Sequence, residues 1–209
     1  MAGINIRELY FRVTSRPDIL PASIRSALMD AGIQVCRETN LLRGTAFATL
    51  PSGGHQIDIP LPPDQSLVRV NQVRVRHDGA WVDLDELAPV YLEHQRVHTS
   101  NAPEGVPSRW GLRGGTLFFQ SPADKAYPLR IDHTWAPTRA SQPEFFDLPD
   151  DAEEAMVAYA RWILLQDRDP RAAAEARRDY DAALPGLRAM GETGESGTRS
   201  IFDFLPFEG

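Results

Sequence analysis

Residues 148–170, LPDDAEEAMVAYARWILLQDRDP, decide the fold. Asp150, Asp151, Glu153 and Glu154 crowd the start of a helix, where the helix dipole favours negative charge by about 0.3–1 kcal/mol each at low salt. Behind them Ala152, Met156, Tyr159 and Ile163, with Ala155, Ala160 and Trp162, recur at helical spacing and make a face wide enough to wedge between other helices. Asp167-Arg168-Asp169-Pro170 then reads as a tight connection. Pro170 opens a second helix carrying Ala173, Ala176, Tyr180 and Ala183, whose small side chains allow close approach, and Pro185-Gly186 is expected to break it.

Working back towards the N-terminus, the helical pattern is lost and then found again. Between Asp18 and Thr39, Ile24, Ala27, Leu28, Ala31 and Val35 define a helix with one buried stripe, and Pro21 sits where a first turn tolerates a missing N–H. Asn40 to Gly44 ends it. From Thr45 the period is two, with Ile57, Ile59 and Leu61 alternating against Gln56, Asp58 and Pro60. Val68 and Val70 are out of step with Val73 and Val75, so a bulge or bend is expected at Asn71-Gln72. His77-Asp78-Gly79 is a turn with Trp81 and Val82 on the returning strand. Arg113-Gly114-Gly115 turns into a strand at Thr116 to Gln120. Tyr127 to Trp135 is another, with Leu129, Ile131, His133 and Trp135 on one face. Leu84 to His98 reads as a short helix or a long loop, and Thr99 to Ser108 as a Pro/Gly loop. Helix, sheet, helix pair is the order. The expected class is α+β: a small antiparallel helical bundle, residues 1–44 and 137–190, interrupted by an inserted antiparallel β domain, residues 45–136, with an extended C-terminal tail, residues 191–209.

The tail pairs a polar, glycine-rich stretch with Ile201, Phe202, Phe204, Leu205 and Phe207. Burying those five side chains yields about 7–15 kcal/mol. Ordering seven backbone residues costs roughly 1–2 kcal/mol apiece, so the segment gains little without a pre-formed surface. It therefore reads as a docking peptide, and the alternative is that it folds back on its own domain.

The chain has 209 residues, 42% of them hydrophobic, which is enough for a normal core. A net charge of -7 argues against affinity for phosphate backbones. Apolar runs are too short to span a bilayer, and Met1 to Phe11 lacks the features of a signal peptide, so a soluble protein made in a cytoplasm is expected. The single cysteine, Cys36, excludes an internal disulfide and reads as a packed small hydrophobe.

Candidate chemistry is sparse. Ser52-Gly53-Gly54-His55 and Gly111-Leu112-Arg113-Gly114-Gly115 lack the Gly-Lys-Ser/Thr of a phosphate loop and read as hairpin turns. His94 and His98 have i, i+4 spacing but no intervening zincin Glu, which favours solvated or interface histidines. His133 reads as a hydrogen-bonded, partly buried histidine. No catalytic, cofactor or metal residues are expected. The enzyme alternative is a cell-wall or glycan hydrolase using Asp83, Asp85 or Glu86, since glycoside chemistry needs two carboxylates at a set separation. A non-catalytic carbohydrate module would use Trp81 and Trp110, although packing is the more ordinary role for both.

Several motifs occur together in an order that resembles the head-to-tail adaptor (connector) proteins of tailed bacteriophages, especially tail-tubular-type adaptors of short-tailed phages. They are Leu20-Pro21 with the helix closing at Cys36-Arg37-Glu38-Thr39, and Gly105-Val106-Pro107-Ser108-Arg109-Trp110. Next come Leu117-Phe118-Phe119, Pro122, Leu129-Arg130-Ile131 and Trp135-Ala136-Pro137. Leu148-Pro149 then leads to a helix with Ala158 and Leu164-Leu165, and a last helix ends near Tyr180. The likeness covers Asp18 to Leu184 and departs at Gln120-Ser121-Pro122, where a Pro-x-Pro is expected. It implies a virion protein at the head-tail junction, assembled in the host cytoplasm as a dodecameric-type ring under the portal. It further implies helices against the portal, the β part towards a downstream tail or nozzle protein, and a C-terminal segment inserted between portal subunits. DNA would pass the ring during ejection without specific binding, and no membrane is involved. Another neck or tail-completion protein is the neighbouring alternative.

Overall fold

The computed structural model describes residues 3–14, 19–87 and 103–193. Among the described residues it is a mixed α and β fold with four α-helices, α1 (Tyr10–Val13), α2 (Pro21–Thr39), α3 (Ala152–Leu165) and α4 (Pro170–Thr193). The chain divides into two compact units. Of the described residues, one takes those up to Arg43, Pro63–Val68 and 135–193, and the other takes those of Gly44–Pro62 and Arg69–Thr134.

In the first unit α3 packs against both α2 and α4. Pro21 occupies the first turn of α2, and Asn40 closes it in the left-handed region at φ 55°. All five residues of the expected stripe on α2 are buried, but so are Met29, Gly32, Ile33, Cys36 and Thr39. The expectation of a single stripe is thus corrected: α2 is covered on more than one side. Part of that cover is Phe146, from the short antiparallel ribbon of β1 (Ile4–Asn5) and β10 (Phe145–Phe146), which sequence periodicity did not reveal. A Cβ on Gly32 would sit 2.4 Å from the Phe146 ring, so only glycine lets the ring lie there.

Asp169 caps α4, accepting the Ala172 N–H at 3.1 Å on its side chain. The expected break at Pro185-Gly186 does not occur, because the helix continues to Thr193. Interior proline costs about 3 kcal/mol. Against that, Tyr180, Leu184, Leu187 and Gly191 continue one buried stripe at helical spacing through and beyond the proline, and α4 packs on α2 as well as α3. Tertiary burial wins. Trp162 and Tyr159 on α3 are half-buried, with Tyr159 edge-on to Trp162 at 5.3 Å and the Arg177 guanidinium 4.1 Å over the Trp162 ring.

Among the described residues there are two four-stranded sheets, built mostly from the second unit. One is ordered β2 (Arg43–Leu50), β9 (Tyr127–Pro137), β4 (Gln65–His77), β5 (Ala80–Asp83), and the other β3 (Gln56–Asp58), β8 (Thr116–Phe119), β7 (Arg109–Arg113), β6 (Asp85–Glu86). The pairs β3–β8, β4–β5 and β7–β8 are antiparallel, while β6 runs parallel to β7. Each sheet buries apolar residues: Val70, Val73, Val75, Leu129 and Ile131 in the first, Trp110, Leu117 and Phe119 in the second. Only Leu84 separates β5 from β6, so the chain changes sheet across one residue.

Both hairpins have positive φ at their two turn residues, 50° and 82° at Asp78-Gly79 and 57° and 89° at Gly114-Gly115, which matches the right-handed strand twist. Burial in β4 changes phase between Val70 and Val73, as the valine spacing predicts, yet the strand runs on without interruption. Three further expectations are corrected. Gly111 lies in β7 and is not part of a turn. Leu84 to Leu87 is extended, with β6 inside it, because Leu84 and Leu87 are both buried and bond to Val73 and Trp110 backbones; the rest of the Leu84 to His98 stretch, from residue 88, lies outside the described residues. On β9 the buried alternation holds to His133 and then shifts, so Thr134 and Ala136 are buried and Trp135 is half-buried.

Candidate functional site

The predicted docking residues Ile201, Phe202, Phe204, Leu205 and Phe207 lie outside the described residues. The structure does describe the base from which that segment departs. Gly191, Glu192 and Thr193, expected to begin the tail, form the last turn of α4. The final carbonyls of a helix have no intrahelical donors. Here Arg43, at the start of β2, donates to the Gly191 carbonyl and, at 3.3 Å, to that of Glu192, placing a cation at the negative end of the helix dipole. One turn earlier, Arg188 donates through Nε to the Glu38 carbonyl and through Nη2 to its carboxylate, both at 3.1 Å. Glu38 also accepts from the Tyr180 hydroxyl at 3.1 Å and from Gln34 at 2.6 Å. Burial first, and then the Glu38 charge, push the Tyr180 hydroxyl well above the usual tyrosine range, so it remains a proton donor. Gly191 has no room for a side chain, since a Cβ would meet the Thr39 carbonyl oxygen at 1.9 Å.

Beside this base lies a groove of about 480 Å³ lined by Asp150, Asp151, Glu153, Glu154, Arg12 and the apolar Ala183, Leu187 and Met190. Arg12 pairs with Glu153, leaving the lining strongly acidic. The exposed large apolar residues fall elsewhere. Phe11 on α1 is 92% exposed; in the second unit Phe47, Trp81 (41% exposed) and Val82 stand out of the first sheet, with the Phe47 and Trp81 rings 6.4 Å apart. On the same sheet, Arg74 pairs with Asp83 at 2.8 Å and Asp132 accepts from Thr45 at 2.7 Å and from Arg130 at 3.2 Å.

The remaining candidates are separated by the fold. Cys36 is fully buried, and burial pushes its thiol up to about 12, which makes it the packed hydrophobe expected. His133 is buried in the second unit; desolvation lowers its pKa, Nδ1 lies 3.3 Å from the Ile131 carbonyl, and Nε2 has no hydrogen-bond partner among the described residues. Trp110 is buried with its indole N–H donating to the Leu84 carbonyl at 3.2 Å, so it offers no stacking surface, whereas Trp81 does. Asp83 is held by Arg74, and Asp85 and Glu86 are exposed neighbours on β6. In the Ser52 to His55 turn, the Gly53 and Gly54 N–H groups donate to the Ala123 and Pro51 carbonyls and are not free for an anion. His94 and His98 lie outside the described residues. Among the described residues no three His, Cys, Asp or Glu side chains converge as metal ligands, and no helix is long and apolar enough to cross a membrane.

Sequence reasoning missed Arg43, Glu38, Arg188 and Gly191. The only signals available were a glycine and two arginines near helix ends, which many helix termini carry. A family described as SU10 adaptor protein matches residues 5–200, which spans both units and ends one residue before Ile201. No curated protein matches the chain.

Proposed function

Because the chain belongs to the SU10 adaptor protein family, we propose that it is a structural head-to-tail adaptor of a tailed phage. In this reading copies form a ring beneath the portal, join it to a downstream tail or nozzle protein, and line the channel through which DNA passes. The helical unit is a bundle, residues 1–44 and 137–190, interrupted by the β insertion at 45–136. Residues beyond the last turn of α4 are the portal-docking segment, with Ile201, Phe202, Phe204, Leu205 and Phe207 as its anchors. The β unit faces the tail, where Phe47, Trp81 and Val82 supply apolar contact area.

The family match is the observation that carries the proposal. Three physical arguments support its details. The terminal segment has nearly equal gain and cost on ordering, so a pre-formed surface is needed to hold it. The acidic groove beside α4 has the wrong sign for that segment, which carries Glu195, Asp203 and Glu208 against Arg199. The net charge of -7 keeps a channel from trapping the passing genome. A ring would also make many weak insertions act together.

Deleting residues 194–209, which leaves α4 whole, is the direct test. The expected result is an unchanged melting temperature with loss of co-sedimentation with the portal protein. Portal capture at wild-type level by the truncated chain would refute the docking role.

A further inference from the structure

We infer that the groove between α1, α3 and α4 docks a basic amphipathic helix of a partner protein. α4 builds its apolar wall: Leu187 is the buried floor, and the half-buried Ala183 and Met190 lie on either side of it at helical spacing. Leu187 and Met190 come after Pro185, so the wall exists only because the helix runs on through its proline. The rest of the lining is charged. Four carboxylates, from Asp150, Asp151, Glu153 and Glu154, share it with one guanidinium, that of Arg12, which leaves a net charge of −3. Glu153 is taken by Arg12, whereas the side chains of the other three make no ion pair or hydrogen bond among the described residues.

A helix start favours acidic residues because its end of the dipole carries roughly half a positive charge. Net −3 exceeds that several-fold. Like charges this crowded repel one another, and a cation brought among them relieves the repulsion. Arg12 shows the form such a cation takes, a guanidinium carried on one short helix and reaching a carboxylate on α3. The complementary partner carries Lys or Arg along the edge of an apolar helix face. Its apolar side chains, recurring every three or four residues, meet Ala183, Leu187 and Met190, while its cations meet the carboxylates. The volume of about 480 Å³ falls within the roughly 300–1,000 Å³ of pockets that hold a bound group. This site stands apart from the docking role of the terminal segment.

The test titrates the full chain with a labelled lysine-leucine peptide whose leucines form one helix face, and with a peptide of the same composition shuffled to have no face. Fluorescence anisotropy reads affinity, and hydrogen exchange reads where the peptide sits. The amphipathic peptide is expected to bind at least about tenfold more tightly than the shuffled one and to protect amides of residues 183–190. Asp150→Asn, Asp151→Asn and Glu154→Gln together should weaken it about tenfold and flatten its salt dependence. Met190→Glu adds a carboxylate but removes apolar wall, so it should weaken binding too; Ala183→Glu serves the same purpose if that variant folds poorly. Equal binding of the shuffled peptide, tighter binding by Met190→Glu, or protection confined to other elements would overturn the inference. Self-association of the chain alone, abolished by the triple amide variant, would also overturn it by making a second copy the occupant.

Discussion

Glycine performs opposite tasks in the two units. In the helical unit Gly32 and Gly191 are places of closest approach, where an added Cβ would lie 2.4 Å from the Phe146 ring and 1.9 Å from the Thr39 carbonyl. In the β unit Gly79 and Gly115 have open space around them and φ of 82° and 89°. The first pair is required by what packs against it and the second by how the backbone turns. A helical unit built on close approach should tolerate volume badly. A β unit built on turns should tolerate volume but not a change of backbone preference.

The sharpest way to break this contrast is Gly32→Ala. Overpacking a fixed ring is expected to cost about 3 kcal/mol in urea unfolding, and the penalty should shrink when Phe146→Leu removes the ring. Strict additivity of the two changes would mean the ring is not what demands glycine. Gly191→Ala comes next, at about 2 kcal/mol or less, because a helix end can relax where a helix centre cannot. Its signature is faster exchange confined to the last turns of α4, and global loss of protection would contradict it. Gly115→Ala is expected to cost roughly 1–2 kcal/mol through its positive φ alone. Gly79→Asn, at a position that tolerates asparagine, should cost less than Gly79→Ala, and the reverse order would disprove the conformational account.

The smallest effect is a pH dependence belonging to the β unit. His133 is held neutral by burial, so its folded pKa lies below the usual 6.5. In the window between the two values the unfolded chain binds more protons than the folded one. Stability contributed by neutral His133 is therefore full above about 6.5 and is lost as the pH falls through that window. His133→Gln should flatten the corresponding part of the stability curve, measured as urea midpoints from pH 7.5 to 5. A variant with the wild-type slope would place the acid sensitivity elsewhere.

Much of the architecture was legible because burial on one side leaves a period. The stripes of α2 and α4, the alternation on β9 up to His133, and both Gly-containing hairpins follow from spacing alone. The misreadings share a cause. Pro185 signals a break, but Leu184 is buried just before it and Leu187 and Gly191 beyond it, and a local cost of about 3 kcal/mol is outweighed by packing that spacing cannot display. The second side of α2 is covered by Phe146, more than a hundred residues away, and no window along the helix contains that information. At the base of the tail the same holds: Arg43 and Glu38 look like ordinary surface charges until the fold brings α4 to them.

The sequence by itself determined the order of helix and sheet segments, the burial of Cys36 and the acidic balance, since these depend on neighbours in the chain or on sums over it. Only the tertiary structure decided that α4 runs through its proline to Thr193, that Trp110 is buried while Trp81 is not, and that Arg43 caps the last turn. Those outcomes depend on contacts between residues far apart in sequence, whose energies exceed the local preferences that a linear reading can weigh.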